Sequence, residues 1–397
     1  MGILVRKQKG IFVFTGIAKL AVIGFIVALA SAYISTIWAV YMDSFVNSVV
    51  IVGFVSAFLT LVSFISYFYF IPLIERTDKS KIYSFSLLAI AILYLLFAIN
   101  TKFYIFIILA FIVTIMYTLR TTSFGIIVKD YSAKKQLSRN EGVMYTFFNL
   151  SFVIGPLIAG YVAEKFGINI VFTLSAIFVF LAFFVFRISS IKDKNVKKKT
   201  DGSLVKNFFD FFKSKERVLA YILGGGVNLW WILIYLFIPL FIIRNNLHEL
   251  WIGYFLFAVA VPLIFLEFIF AKLAGKIGFK KMFKIGFLIP CIFAVSCFFF
   301  SNVYIILSLL VLASIGLAML EPTTEAYFFD ILKGKEELRF YGPYNTTMDV
   351  NNFIGKIIAS TLLIFLPFRY IFLIFAGFMF IMFLISFRIR DVVERKR

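Results

Sequence analysis

Charge is scarce in this chain. Of its 397 residues 15% are charged, with 20 acidic side chains against 40 basic ones, where soluble domains carry roughly 25% charged residues. So little charge, beside so much apolar mass, argues against a disordered chain and leaves too few polar groups to cover a water-soluble globule. Cysteine is nearly absent. Cys291 and Cys297 lie six apart in one apolar run, point in different directions on a helix, and read as small packing residues with no disulfide framework. The one histidine, His248, sits in the polar break from Arg244 to Glu249, without the partners that a metal site needs. No His/Glu pair and no Ser or Cys with a histidine occurs on plausible segments, so no metal, no cofactor and no enzymatic activity are expected. The phosphate-binding pattern GxxxxGK followed by Ser or Thr is missing, which leaves direct use of ATP unsupported.

What the chain has is apolar bulk: 62% apolar residues, 55 Phe and a mean hydropathy of +1.00. A helix needs about 20 apolar residues to cross the hydrocarbon core. Runs of that length between polar breaks predict twelve spans: 11–40, 48–71, 82–100, 103–128, 141–163 and 168–190, then 217–243, 250–272, 281–300, 303–329, 342–366 and 369–389. The expected class is an all-α polytopic membrane protein with two six-helix bundles. The start, MGILVRKQKG, is basic but lacks a short apolar core with a small-residue cleavage site, and reads as a cytoplasmic lead into a retained first helix.

The basic residues set the orientation. With a cytoplasmic N-terminus, 33 of the 40 Lys and Arg fall in cytoplasmic segments and four on the other side: Lys102, Lys165, Arg244 and Arg369. That asymmetry is the positive-inside signature. It places both termini in the cytoplasm of a plasma or inner membrane and accounts for the net charge of +20 through anionic lipid, with no nucleic acid required. The longest polar stretch, 191–216, separates an N-terminal half, 1–190, from a C-terminal half, 217–397. Its Phe-Phe-Asp-Phe-Phe run, flanked by lysines, has two readings: an amphipathic helix on the cytoplasmic surface or a solvated basic tether.

The halves repeat at an offset of 200 residues. Gly24 matches Gly224, Gly53 matches Gly253, Asp130 matches Asp330, Arg139 matches Arg339, Gly142 matches Gly342 and Gly155 matches Gly355. Arg76 and Lys81 find Lys276 and Lys281. Six-helix repeats in one orientation, related by an axis along the membrane normal, are a transporter layout.

Two motifs carry a family resemblance. The first follows span two, where Ile71-Pro72-Leu73-Ile74-Glu75-Arg76-Thr77-Asp78-Lys79-Ser80 is similar to the loop pattern G-x-L-A-D-R/K-x-G-R/K-R/K. It keeps the leucine, an acid and the arginine and loses both glycines. Its second copy, Ala271 to Lys280, keeps Leu273, Ala274, Lys276, Gly278 and Lys280 and loses the acid. The other motif is Ser151-x-x-x-Gly155-Pro156-x-x-Ala159-Gly160 in span five, similar to an exporter pattern. The matching stretch of span eleven lacks the proline. Taken with the six-plus-six layout, the whole chain resembles the major facilitator superfamily. The exporter motif also has a plainer reading, since small residues let helices approach closely whatever the transport direction.

Charges inside a membrane cost roughly 2.5–3.5 kcal/mol each even on lenient scales, and so mark functional candidates. Lys19, Arg120, Glu267, Asp349 and Lys356 fall within spans, and Glu321-Pro322-Thr323-Thr324-Glu325 sets two acids on one helical face. The resemblance implies that spans one, four, seven and ten line the pathway. Lys19, Arg120, Glu321, Glu325 and Trp230 then become pathway candidates. Arg120 and Glu321 stand near corresponding positions of the two halves. Three readings stand: Glu321 takes up and releases a proton during transport, the two form a permanent ion pair or gate latch, or the side chains simply snorkel to the interface. Asp349 and Lys356 lie two turns apart in span eleven and read as structural partners. Glu75, Arg76, Asp130, Arg139, Asp330 and Arg339 cluster at cytoplasmic helix ends, as a gate or as ordinary interface charges.

The expectation is a secondary transporter working by alternating access. The leading reading is proton-coupled export of a small amphipathic or cationic compound, by a monomer. Uptake or exchange of a small metabolite, a sugar or an organic anion, is the alternative, and lipid flipping is a third.

Overall fold

The computed structural model describes residues 5–8, 11–14, 16–132, 137–189, 191, 204–332 and 336–390. A short antiparallel hairpin opens the chain: β1 (Val5–Gln8) pairs with β2 (Ile11–Phe14), Val5 opposite Phe14. The regular elements described after it are helices: α1 (Gly16–Val46), α2 (Val49–Arg76), α3 (Lys79–Ile99), α4 (Phe103–Tyr131), α5 (Leu137–Phe166), α6 (Ile168–Ile188), α7 (Leu204–Phe212) and α8 (Lys215–Ile232). A π-helical turn, Leu233–Phe237, joins α8 to α9 (Ile238–Arg244). Then come α10 (Glu249–Ile277), α11 (Phe279–Phe299), α12 (Val303–Ile331), α13 (Glu336–Asn345), α14 (Thr347–Phe365) and α15 (Ile371–Ser386).

Twelve helical segments among the described residues are long and apolar enough to cross a membrane. They coincide with the expected spans to within a few residues at almost every end. The largest difference is at span one, expected at 11–40 and found at Gly16–Val46, because the hairpin takes up the first apolar residues. Local chemistry fixes several ends. Asp78 caps α3, its carboxylate accepting from the N–H of Ser80 at 2.9 Å and of Lys81 at 3.2 Å. Asn302 caps α12 in the same way. Asn47 and Asn246, at φ 47° and 60°, make the left-handed turns after α1 and α9, which asparagine tolerates. Gly278, the glycine kept by the second loop motif, stands at φ 83° ahead of α11, where a side chain would be strained.

The chain forms two compact units. Unit 1 comprises Met1–Phe45, Val62–Thr200 and His248–Tyr254; unit 2 comprises Val46–Leu61, Asp201–Leu247 and Phe255–Arg397. The core of unit 1 is aromatic. Tyr41 meets Phe172 at 4.6 Å between ring centroids, and Trp38, Phe97 and Phe106 close the cluster. The Tyr41 hydroxyl donates to the Phe97 carbonyl at 2.8 Å, so the polar tip of a buried ring is satisfied. Trp38 and Tyr41 thus belong to the unit's interior.

In unit 2, α11 packs on α12 through facing glycines: a Cβ at Gly316 would lie 2.6 Å from the Gly286 carbonyl oxygen. Small residues at such crossings are what membrane helices use for close approach. Outward, Phe85, Phe184, Phe265 and Phe365 are exposed, as apolar side chains facing lipid are.

Candidate functional site

In unit 2 the polar residues of the spans gather around Glu321 on α12. The indole N–H of Trp231, near the end of α8, donates to the Glu321 carboxylate at 2.5 Å. Tyr235 extends this wall, its ring 5.5 Å from that of Trp231, and lies close enough to Glu321 to sense its charge. Glu267 on α10 also interacts electrostatically with Glu321. No basic side chain of unit 2 forms an ion pair with Glu321 among the described residues; the pairs found there are Lys213–Asp210, Arg217–Glu336, Arg339–Asp210 and Arg390–Glu216. Two carboxylates and two aromatic rings form an acidic, aromatic-walled group.

The tryptophan at the carboxylate is therefore Trp231. Trp230, the residue singled out from the sequence, is 0% exposed and its N–H has no partner among the described residues. The π-helical turn begins two residues after Trp231. Pro239, at the start of α9, has no N–H to continue the ladder, and single π turns of this kind collect at functional sites. Glu325, one turn beyond Glu321, is exposed.

Lys356, on α14, donates to the Thr60 hydroxyl at 2.8 Å and senses the charge of Asp349. Asn351, on the same helix, donates to the Thr347 carbonyl at 2.9 Å. Gly225 makes room for Asn351, since a Cβ there would stand 1.9 Å from the amide nitrogen. These contacts tie α14 to α8 and to the first part of α2.

In unit 1, Arg120 on α4 donates from Nη1 to the Ser31 hydroxyl of α1 at 3.2 Å. Its guanidinium lies 4.9 Å from the ring centroid of Tyr117, and the Tyr117 hydroxyl hydrogen-bonds that of Tyr94. No carboxylate of unit 1 pairs with Arg120 among the described residues. Lys19 is placed differently from the sequence expectation. It lies in the first turn of α1, not eight residues into the span, and donates to the Ser189 carbonyl at the end of α6 at 3.5 Å. There a cation suits the negative end of a helix.

The span-five motif is a string of close contacts within unit 1. Ser151 donates to the Phe25 carbonyl of α1 at 3.2 Å. A Cβ at Gly155 would stand 2.6 Å from Ala32, and one at Gly160 would stand 2.9 Å from the Glu249 carbonyl oxygen. Gly253 completes the crossing, with 2.5 Å between its ideal Cβ and the Pro156 carbonyl oxygen.

At the helix ends, Arg76 is exposed in the last turn of α2. Asp130 and Asp330 occupy the last turns of α4 and α12. An acid there opposes the helix dipole, so helix stability does not explain either one. Arg339 on α13 pairs with Asp210 of the linker helix α7 and donates to the Asn207 side chain at 2.8 Å. The side chains of Glu75 and Arg139 lie outside the described residues.

Comparisons with known proteins place the fold. The fold is similar to a POT family transporter solved with 5-aminolevulinic acid (TM-score 0.77, 14% identity, 95% of this chain and 96% of that one). It is also similar to a nucleoside transporter (TM-score 0.75, 12% identity, 94% and 98%). In sequence, it is 22% identical over 238 residues to an uncharacterised MFS-type transporter of Methanocaldococcus jannaschii, covering 59% of this chain and 61% of that protein. Residues 20–265 and 230–397 match the family model of the Major Facilitator Superfamily, and the chain belongs to that superfamily.

Proposed function

We propose that this transporter couples proton movement to the export of a small amphipathic cation, with Glu321 as the group that exchanges the proton. The carrying observation is the Glu321 carboxylate, inside a span, held by one indole N–H and without a basic partner of its own unit among the described residues. A carboxyl group of that kind can exist with or without its proton as the site opens to either side. Trp231 and Tyr235 supply ring faces, which attract organic cations. Export, rather than uptake, rests on the Ser151–Gly160 motif alone.

On this reading the halves 1–190 and 217–397, joined by 191–216, rock against each other in a plasma or inner membrane with both termini cytoplasmic. One chain suffices, and Asp130, Arg139, Asp330 and Arg339 act as the cytoplasmic gate with Glu75 and Arg76. Dye accumulation tests it. Efflux-deficient cells expressing the chain should accumulate less of a lipophilic dye cation, and a protonophore should restore accumulation. Unchanged accumulation, with the protein present in the membrane, overturns cation export.

A second reading has one observation in its favour: Arg120, with no paired carboxylate of unit 1 among the described residues, would suit uptake or exchange of an organic anion. Counterflow of labelled organic acids in proteoliposomes separates the two.

A further inference from the structure

The linker helix α7 has two faces of opposite character. Inward, Phe211 is 0% exposed and packs against Tyr221, Phe328 and Phe340. Arg217 donates to the carbonyls of Asp210 and Phe211 at 2.7 and 3.0 Å, and Asp210 holds Arg339. With 3.6 residues per turn, Lys206, Phe209 and Lys213 fall on the side away from Phe211. Lys206 is exposed, Phe209 is 69% exposed and the Lys213 side chain is 74% exposed. An aromatic ring between two lysines thus faces away from unit 2.

Position says what lies beside that face. Only Lys213 and Ser214 separate α7 from Lys215, where the membrane-spanning helix begins. Three residues reach at most about 10 Å, comparable with the headgroup layer that flanks the roughly 30 Å hydrocarbon core. The end of α7 therefore sits at the membrane boundary. The surrounding sequence is basic, with Lys192, Lys194, Lys197, Lys198, Lys199 and Lys215. Charge complementarity selects an anionic surface, and the exposed phenylalanine selects one with an apolar layer beneath it.

We infer that Lys206 and Phe209 of α7, with Lys213 just past its end, form a docking surface for anionic lipid headgroups, with Phe209 entering the headgroup–acyl boundary. Since the opposite face is tied through Asp210 to Arg339 on α13, lipid charge bears on the segment between α12 and α14. The inference stands independently of the transported compound.

The native Cys291 and Cys297 are buried, so a nitroxide can be placed selectively on the full chain carrying Phe209→Cys. In vesicles containing phosphatidylglycerol, the label should be more accessible to oxygen than to an aqueous nickel complex. Vesicles of phosphatidylcholine alone should abolish that preference. Each lysine near an anionic surface is worth about fivefold in binding. Combining Lys206→Gln with Lys213→Gln should therefore lower the docking equilibrium constant by roughly 30-fold, and arginine at both positions should restore it. Without any substitution, amide exchange over Leu204–Phe212 should be slower in anionic than in neutral nanodiscs. A water-exposed label in both lipids, or equal depth in both, overturns the inference.

Discussion

At the scale of single residues, the Glu321–Trp231 contact carries the mechanism. Glu321→Gln keeps the size and the hydrogen-bonding oxygen and removes the exchangeable proton. Proton-coupled transport should fall by about a hundredfold, the lower range for removing a positioned proton-transfer group, while counterflow exchange persists. Proteoliposome assays with and without an imposed pH gradient measure both, and unchanged coupling would falsify the role. Gly253 tests packing instead. Its ideal Cβ meets backbone, the Pro156 carbonyl at 2.5 Å, and backbone cannot rotate away. Gly253→Ala should destabilise the protein by about 1–3 kcal/mol, seen as a lowered midpoint in thermal unfolding in detergent. Neither the choice between Trp230 and Trp231 nor the true depth of Lys19 was legible in the sequence. Adjacent residues on a helix point about 100° apart, and only the rotation of α8 in its bundle decides which meets α12. For Lys19, a hairpin consumed apolar residues that the run-length argument had assigned to the helix.

Among elements, α7 was half legible. Its aromatic and basic composition suggested an amphipathic helix, and the tether reading gives way to a helix packed on unit 2. Its partner could not be read, because Asp210 and Arg339 are far apart in sequence. The Asp210 carboxyl is held below its usual 3.8, chiefly by the hydrogen bond from Lys213, with Arg339 adding to it. A depressed carboxylate stabilises the docked helix above pH 3.8 and loses that contribution as pH falls through the depressed value. Docking should therefore be insensitive to pH between neutrality and about 5 and weaken only in stronger acid. At neutral pH, Asp210→Asn should speed amide exchange over Leu204–Phe212 by about two- to fivefold, the scale of an exposed ion pair. Exchange no faster than in the wild type would mean that Phe211 and the backbone contacts of Arg217 hold the helix without the Asp210 carboxylate.

For the whole molecule, the span pattern predicts topology. Cysteines introduced at Lys197 and Asn246 should label from opposite sides of the membrane, with Lys197 on the side of both termini. Labelling of both by one impermeant reagent on intact cells would contradict the distribution of Lys and Arg. The offset of 200 residues has a structural counterpart in Asp130 and Asp330, which end α4 and α12, and in Gly155 and Gly355, where a Cβ would stand 2.6 Å from Ala32 of α1 and 2.4 Å from Leu229 of α8. Such matches recur because the same helix ends and close helix crossings recur wherever the backbone path recurs.

By itself the sequence determined the number of spans, their near-limits, the internal repeat and the family resemblance. Each of these follows from a local demand: an apolar run must be long enough for lipid, and its backbone must be satisfied within one helix. The tertiary structure alone decided the partners, namely Trp231 with Glu321, Ser31 with Arg120, Thr60 with Lys356 and Asp210 with Arg339. Helices apolar on every side carry no stripe that says which face turns inward. Small-residue contacts and side-chain packing set those rotations, and they exist only once the helices are assembled.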